Sequence, residues 1–233
     1  MARKVVFTSG MNRVGQSTIC ALVGCGLASL GKKVVLVDLS MGSTSLHSIL
    51  NVDIKFDIFD VAKKYCRLRQ AIVGVPDFLQ LYCLPCAKNS GKVGTDFIYD
   101  VFENLKENFD FVLIDCPIYM SLNCYKTIFN NSETIIISTL DKKSVLSANN
   151  VASLICGWNA SIKLFVNNIS MLEKKRRQDK LVADWLKLDL FDSMVHMHKD
   201  IRWGNEFIIE NGVKFAQELI GSYYFNGKKG KNE

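Results

Sequence analysis

Short apolar runs rich in β-branched and aromatic residues recur along the chain. They are KVVFTS (4–9), KVVLVD (33–38), LQLYCLP (79–85), FDFVLID (109–115), ETIIIS (133–138), IKLFVN (162–167) and LFDSMVH (190–196). Their hydrophobicity is continuous rather than alternating, the pattern of strands covered on both faces. Stretches of helical period separate them. QSTICALVGCGLASLG (16–31) stops at Gly31, a residue suited to follow a helix end. TDFIYDVFENLKENF (95–109) carries a stripe through Phe97, Val101, Leu105 and Phe109, and SVLSANNVASLICGW (144–158) is a third helix. This alternation predicts an α/β fold: a doubly wound, mostly parallel sheet with helices on both faces. Without a linker, repeat or low-complexity segment, residues 1–225 are expected to form one domain, followed by a basic flexible tail at 226–233.

Composition supports a sizeable core. The chain has 233 residues, 48% of them hydrophobic, enough for one large domain. Its longest apolar runs are too short to span a bilayer, and the first residues enter a strand without a signal-peptide pattern. A cytoplasmic protein is expected, with peripheral contact at the inner face of the membrane as a further option. Eight cysteines sit mostly in apolar runs, as reduced cysteines do when they act as small hydrophobes. The formal charge of +6 comes partly from EKKRRQDK (173–180) and partly from the Lys-rich end. It permits contact with an anionic membrane or non-specific contact with DNA without demanding either.

In doubly wound sheets, ligands bind beyond the carboxyl ends of the strands. Four predicted strand ends carry polar residues: Ser9 and Gly10, Asp38, Asp115 and Asn167. The first leads into Gly10, Met11, Asn12, Arg13, Val14, Gly15, Gln16 and Ser17, with Thr18 following. These residues occupy the places of a phosphate loop G-x-x-x-x-G-K-[ST], whose backbone N–H groups cradle phosphates and whose hydroxyl binds Mg²⁺. Both glycines, the hydroxyl and the helix start are present. Gln16 stands where the lysine belongs.

The sequence TSGMNRVGQST resembles the TSGKGGVGKTT of the MinD/ParA family of P-loop ATPases. LGKKVVLVDLSMGSTSLHSILNV, FDIFDVAKKYCRLRQAI, LQLYCLPC and FDFVLIDCP follow that family's second strand and switch, its middle section and its Walker B strand in order. LFVNN is similar to the strand whose asparagine, here Asn167, touches the base. The likeness is clear over residues 3 to 170 and thin afterwards. It implies ATP or ADP as ligand, with Mg²⁺ held by Ser17, Asp38 and Asp115. It also implies homodimerisation or pairing with another protein.

The departures fall on chemistry. The family's signature lysine, which reaches the partner subunit's phosphate, falls on Met11; the Walker lysine falls on Gln16. The switch aspartate that positions water is replaced by Ser40. Removing one charge-stabilising group from such a site typically costs a few kcal/mol, roughly 10²- to 10³-fold in rate. No catalytic residue is therefore assigned, and efficient hydrolysis is not expected. Binding is a separate matter, because a helix N-terminus attracts phosphate without a lysine. Arg13 could add a cation or block the pocket. The altered loop is similar to that of the TadZ/CpaE pilus-assembly relatives, although their receiver-like domain is not expected here.

The resulting expectation is a degenerate, weakly nucleotide-binding organiser of a division site, partition complex, pilus or flagellum. An active ATPase using non-standard loop residues and a nucleotide-free interaction scaffold are the alternatives. The C-x-x-C at Cys83 and Cys86 reads as structural, because neither a redox nor a zinc context surrounds it. Cys116 beside Asp115 reads as structural too. His196 and His198 read as ordinary loop histidines, and His47 has no partner in sequence. Phe215, Leu219, Ile220, Tyr223 and Phe225 suggest a last helix packed on the sheet, interrupted by Gly221 and Gly227.

Overall fold

The computed structural model describes residues 2–39, 46–86, 94–117, 122–158, 161–195 and 206–229. Its strands are β1 (Arg3–Ser9), β2 (Val34–Asp38), β3 (Val73–Gly74), β4 (Leu81–Leu84), β5 (Phe111–Asp115), β6 (Glu133–Ser138), β7 (Ser161–Ile169) and β8 (Asp189–Val195). They form one sheet in the order β3-β4-β2-β5-β1-β6-β7-β8. Every pairing is parallel except that of β3 with β4. The doubly wound α/β expectation is correct, and all seven predicted strands are present. The two-residue β3 was too short to predict.

The helices are α1 (Gln16–Ser29), α2 (Leu46–Ile49), α3 (Ile58–Ala62), α4 (Leu68–Ala71), α5 (Thr95–Lys106) and α6 (Leu122–Phe129). They continue with α7 (Lys142–Ile155), α8 (Met171–Lys175), α9 (Gln178–Leu186) and α10 (Glu206–Lys229). The inward stripe of α5 is Ile98, Val101, Phe102 and Leu105 rather than one running from Phe97 to Phe109. Phe109 lies beyond the helix, which ends at Lys106, and its ring packs edge-on against Tyr82.

The continuous hydrophobic runs divide between two cores. In β1, Val5 and Phe7 join the cluster formed with α1 and α10, while Val6 joins the opposite cluster with α5, α6, α7 and α9. Alternate residues of one strand thus serve opposite faces, which explains why no in-out polarity was visible. Helix α1 is buried from Ile19 to Leu27, because α10 covers the side turned away from the sheet. Gly26 and Gly212 permit that crossing: a Cβ on Gly26 would lie 1.9 Å from the Gly212 carbonyl oxygen. Phe215 of α10 reaches the sheet, meeting Phe165 edge-on at 5.1 Å. Arg3 Nη1 donates to the Leu219 carbonyl at 2.6 Å, tying α10 to the first strand.

Packing of the last helix was expected, but its continuity was not. The α10 backbone runs through Gly221 and Gly227 to Lys229, past the predicted start of the tail at 226. A helical glycine costs only about 1 kcal/mol relative to alanine. The packed first half of α10 offsets a cost of that size.

Candidate functional site

The parallel register sets the site. Asp38 and Asp115 end neighbouring strands as direct partners, and Phe7 of β1 is level with Asp115 on the other side. The loop after β1 therefore starts beside two buried carboxylates. It turns through left-handed backbone at Arg13 (φ 62°) and Gly15 (φ 90°) before entering α1. No side chain caps that helix. Its first backbone bond runs from Ile19 N–H to Gly15 O at 2.9 Å, so the N–H groups of Gln16, Ser17 and Thr18 precede the ladder. Fourteen residues of aligned peptide dipoles lie behind them.

Gln16 is turned inward. Its Nε2 donates to Asp115 Oδ1 at 2.5 Å and to the Cys116 carbonyl at 3.0 Å. Its Oε1 lies 2.6 Å from the Ser9 hydroxyl, whose single proton can instead reach the Met11 carbonyl at 2.8 Å. The amide thus bridges β1 and β5 through an uncharged group where a lysine would present a cation. Asp115 Oδ2 is buried without a hydrogen-bond partner. Burial pushes the Asp115 carboxyl above its ordinary 3.8, while contacts from Ser17 and Gln16 pull the other way. Asp38 is also buried, and its Oδ2 accepts from Leu46 N–H at 3.0 Å.

Asn167 sits under the loop. Its Nδ2 donates to the Val14 carbonyl at 2.8 Å, and its Oδ1 is buried without a partner. A Cβ on Gly15 would lie 2.2 Å from that Nδ2, so glycine is required there by both space and φ. Gly10 is constrained by α7, because a Cβ on it would come within 2.4 Å of the Ser147 backbone. The helix is held in that position at its start. Asp141 accepts from the N–H groups of Lys143 and Ser144, and Ser144 Oγ meets Ser138 Oγ at 3.0 Å.

The structure gathers Gly10, Met11, Asn12, Arg13, Val14, Gly15, Gln16, Ser17 and Thr18 with Asp38, Asp115 and Asn167 at the strand ends. Val14 is buried in the core, Met11 packs partly against it, and Asn12 and Arg13 are exposed. Ser40 lies outside the described residues, as do His196 and His198. Sequence reasoning missed the bridging role of Ser9, which looked like strand-end punctuation, and the contact of Ser147 with Gly10. Cys83, Cys86 and Cys116 are buried free thiols, and no cluster suited to a metal occurs among the described His, Cys, Asp and Glu residues.

An Mg²⁺ nucleotide fits this arrangement in part. Uncapped N–H groups and the left-handed Gly15 suit phosphate, and the orphaned Asp115 Oδ2 beside Ser17 and Asp38 suits a hard cation. The fit lacks the two lysines.

A family model described as an AAA domain matches residues 3–171. The septum site-determining protein MinD of Synechocystis sp. is 33% identical over 174 residues, covering 72% of this chain and 65% of that protein. The putative MinD of Guillardia theta is 31% identical, with 79% and 70% covered. This chain spans about two thirds of the length of these relatives. Among solved structures, the MinC:MinD cell division complex of Aquifex aeolicus superposes with a TM-score of 0.80 at 25% identity, over 94% of this chain and 96% of that one. MinD of Pyrococcus horikoshii complexed with Mg-ADP gives 0.79 at 21% identity over the same shares, a likeness of fold. A Borrelia burgdorferi plasmid partition protein bound to AMPPNP gives 0.73 at 18%, covering 95% and 99%. Domain match, sequence identity and superposed fold agree, and the chain belongs to the MinD/ParA family of P-loop ATPases.

Proposed function

We propose that this protein binds ATP or ADP weakly with Mg²⁺, turns it over slowly, and acts in the cytoplasm as a spatial organiser or regulatory partner. The observation that carries this reading is the inward-turned Gln16, which spends its amide on Asp115, Cys116 and Ser9. The loop keeps backbone donors for phosphate, and Ser17, Asp38 and Asp115 can hold the cation. Bound Mg²⁺ would supply charge neutralisation along the phosphates. What this chain's residues do not supply is a second cation in the loop, since Met11 and Gln16 are neutral and Arg13 points its charge from an exposed turn. Met11 also removes the charge that would clamp a nucleotide between two subunits, so dimers or heteromers would rely on protein surface. The relatives' names support a role in division or partition.

A nucleotide-free scaffold is the second reading. It is favoured by the way Ser9, Gln16 and Asp115 satisfy one another, so that the loop needs no ligand to hold its shape. Calorimetry with Mg-ATP and Mg-ADP, paired with phosphate release, separates the readings. Weak heats with near-background release are expected. Gln16→Lys, a charge-assisted contact, should tighten binding by about tenfold or more. No heat from either nucleotide would favour the scaffold. Sustained phosphate release abolished by Asp115→Asn would establish an active ATPase and overturn the proposal.

A further inference from the structure

Helices α5, α6, α7 and α9 all pack into the core cluster on one face of the sheet. They connect β4 to β5, β5 to β6, β6 to β7 and β7 to β8, so the strand order lays them side by side in that sequence. Six of the eleven exposed large hydrophobic side chains among the described residues lie on this layer: Tyr99, Leu122, Leu146, Leu154, Leu181 and Trp185. Their outward placement follows from what each helix buries. Helix α5 buries Ile98, Val101, Phe102 and Leu105, which leaves Asp96, Tyr99, Asp100, Glu103 and Glu107 along its opposite side. Helix α9 buries Asp179, Ala183 and Leu186, so Leu181 and Trp185 stand outermost, flanked by Arg177, Lys180 and Lys187.

The layer is acidic at one flank and basic at the other. On α5, Asp96, Asp100 and Glu107 are exposed, and Glu103 is paired with Lys106. On α9, Asp184 is the one exposed carboxylate. Between the flanks, the outward side of α7 is uncharged, carrying Leu146, Asn150, Ser153 and Leu154. Lys126 is the one charge on α6, and Lys142 and Lys143 stand in the first turn of α7. Glu103 and Glu107 lie at the C-terminal end of α5, and Arg177 and Lys180 at the N-terminal end of α9. Those are the ends where the helix dipole disfavours each sign, so local helix stability does not account for them.

We propose that this layer is a nucleotide-independent interface at which two copies of the chain pack face to face about a two-fold axis running along the helices. Such an axis sets α5 of each copy against α9 of the other, so acid meets base twice, and the uncharged side of α7 falls near the centre. A two-fold axis across the helices would pair like flanks instead. A polyanion would be repelled by α5 and a polycation by α9, so a partner of one sign matches half of the layer. Four helices about 10 Å apart and up to 14 residues long present roughly 30 by 20 Å in projection, of the order that a stable dimer needs. The layer covers a face of the sheet, whereas the nucleotide loop opens at the strand ends. It supplies the protein surface that pairing requires in the proposed function, and it stands whether or not a nucleotide binds.

The test is sedimentation velocity of the full chain without nucleotide, under a thiol reductant and over a range of concentrations. A reversible monomer–dimer equilibrium is expected, weakening as salt rises and indifferent to Mg-ATP. Asp100→Lys and Lys180→Glu each place like charges across the contact twice, and each should weaken the dimer at least about tenfold. Mixed in equal amounts, the two variants should recover the native affinity as a heterodimer, because each altered flank then faces an opposite charge. Misfolded variants could not do so. Leu146→Ser with Leu154→Ser should also cost about tenfold. Pairing alongside calorimetric silence toward nucleotides would support the interface while sinking the nucleotide reading. The proposal is overturned if the chain stays monomeric at every concentration, pairs only with Mg-ATP, or pairs more tightly as salt rises. It is also overturned if the mixed variants pair no better than each alone, or if the Leu146/Leu154 variant pairs unchanged.

Discussion

At the scale of single residues, the loop uses its glycines for the protein's own packing as much as for any ligand. Gly10→Ala would place a methyl group within 2.4 Å of the Ser147 backbone, which cannot move aside as a side-chain tip can. Overpacking of this kind costs about 1–3 kcal/mol, and a lowered urea midpoint with the slope unchanged would report it. Gly31→Ala is the control: its φ is +76°, but nothing lies within 4 Å, so only the left-handed strain of roughly 1–2 kcal/mol remains. An unchanged midpoint for Gly10→Ala would refute the steric account of Gly10. Asn167→Ala should release the Val14 carbonyl and loosen the loop, visible as faster amide exchange at residues 13–16 with little change in the global midpoint. The two framing glycines and the missing lysine were legible from spacing alone. The inward turn of Gln16 was not, because its partner Asp115 is 99 positions away and only the β1–β5 pairing brings them together.

Among the elements, the α1–α10 crossing is where local propensity and tertiary contact conflict most openly. Alanine is the better helix former, so Gly26→Ala should gain about 1 kcal/mol from propensity alone. The added Cβ would meet the Gly212 carbonyl at 1.9 Å and the Val213 nitrogen at 2.6 Å. Separating the two backbones would open the Phe215 and Leu219 contacts as well. Net destabilisation is therefore expected, about 1–3 kcal/mol, read as a lower thermal midpoint; a rise would mean that α10 does not pack this closely. The same conflict explains what the sequence left hidden in this region. Strands and the long helices α1, α5 and α7 announced themselves by apolar period. In α10, Gly221 and Gly227 looked like stops, and a glycine's cost can be weighed only when the packing of the rest of the helix is known. The short helices α2, α3, α4 and α8 have four or five residues each, too few to show a period.

For the whole molecule, two cores on one sheet bury thiols along with the aliphatic side chains, and that has a consequence for alkaline stability. Burial pushes Cys25 and Cys86 up to about 12 and raises Cys20, Cys83 and Cys116 well above the ordinary 9.0. Nearby Asp38 or Asp115 adds in the same direction at Cys20, Cys83 and Cys116. Above pH 9 the unfolded chain loses these protons while the folded chain keeps them. Stability is thus fully present below 9 and falls as pH rises beyond it. Each thiol contributes about 1.4 kcal/mol per pH unit once ionised in the unfolded chain alone. Lys4 opposes them: burial lowers it to about 8, helped by Lys106, so the folded state sheds its proton first and gains stability between 8 and 10.5. Five thiols outweigh one lysine. A steep loss of stability is therefore expected once the pH passes 9. Urea midpoints measured under a thiol reductant at pH 8, 9 and 10 should show little change, then a steep fall. Cys83→Val should lower the slope above pH 9 by about one proton's worth. A midpoint that stays level through pH 11, or a slope indifferent to Cys83→Val, would mean that the thiols ionise inside the fold and that these cores are wetter than their packing implies.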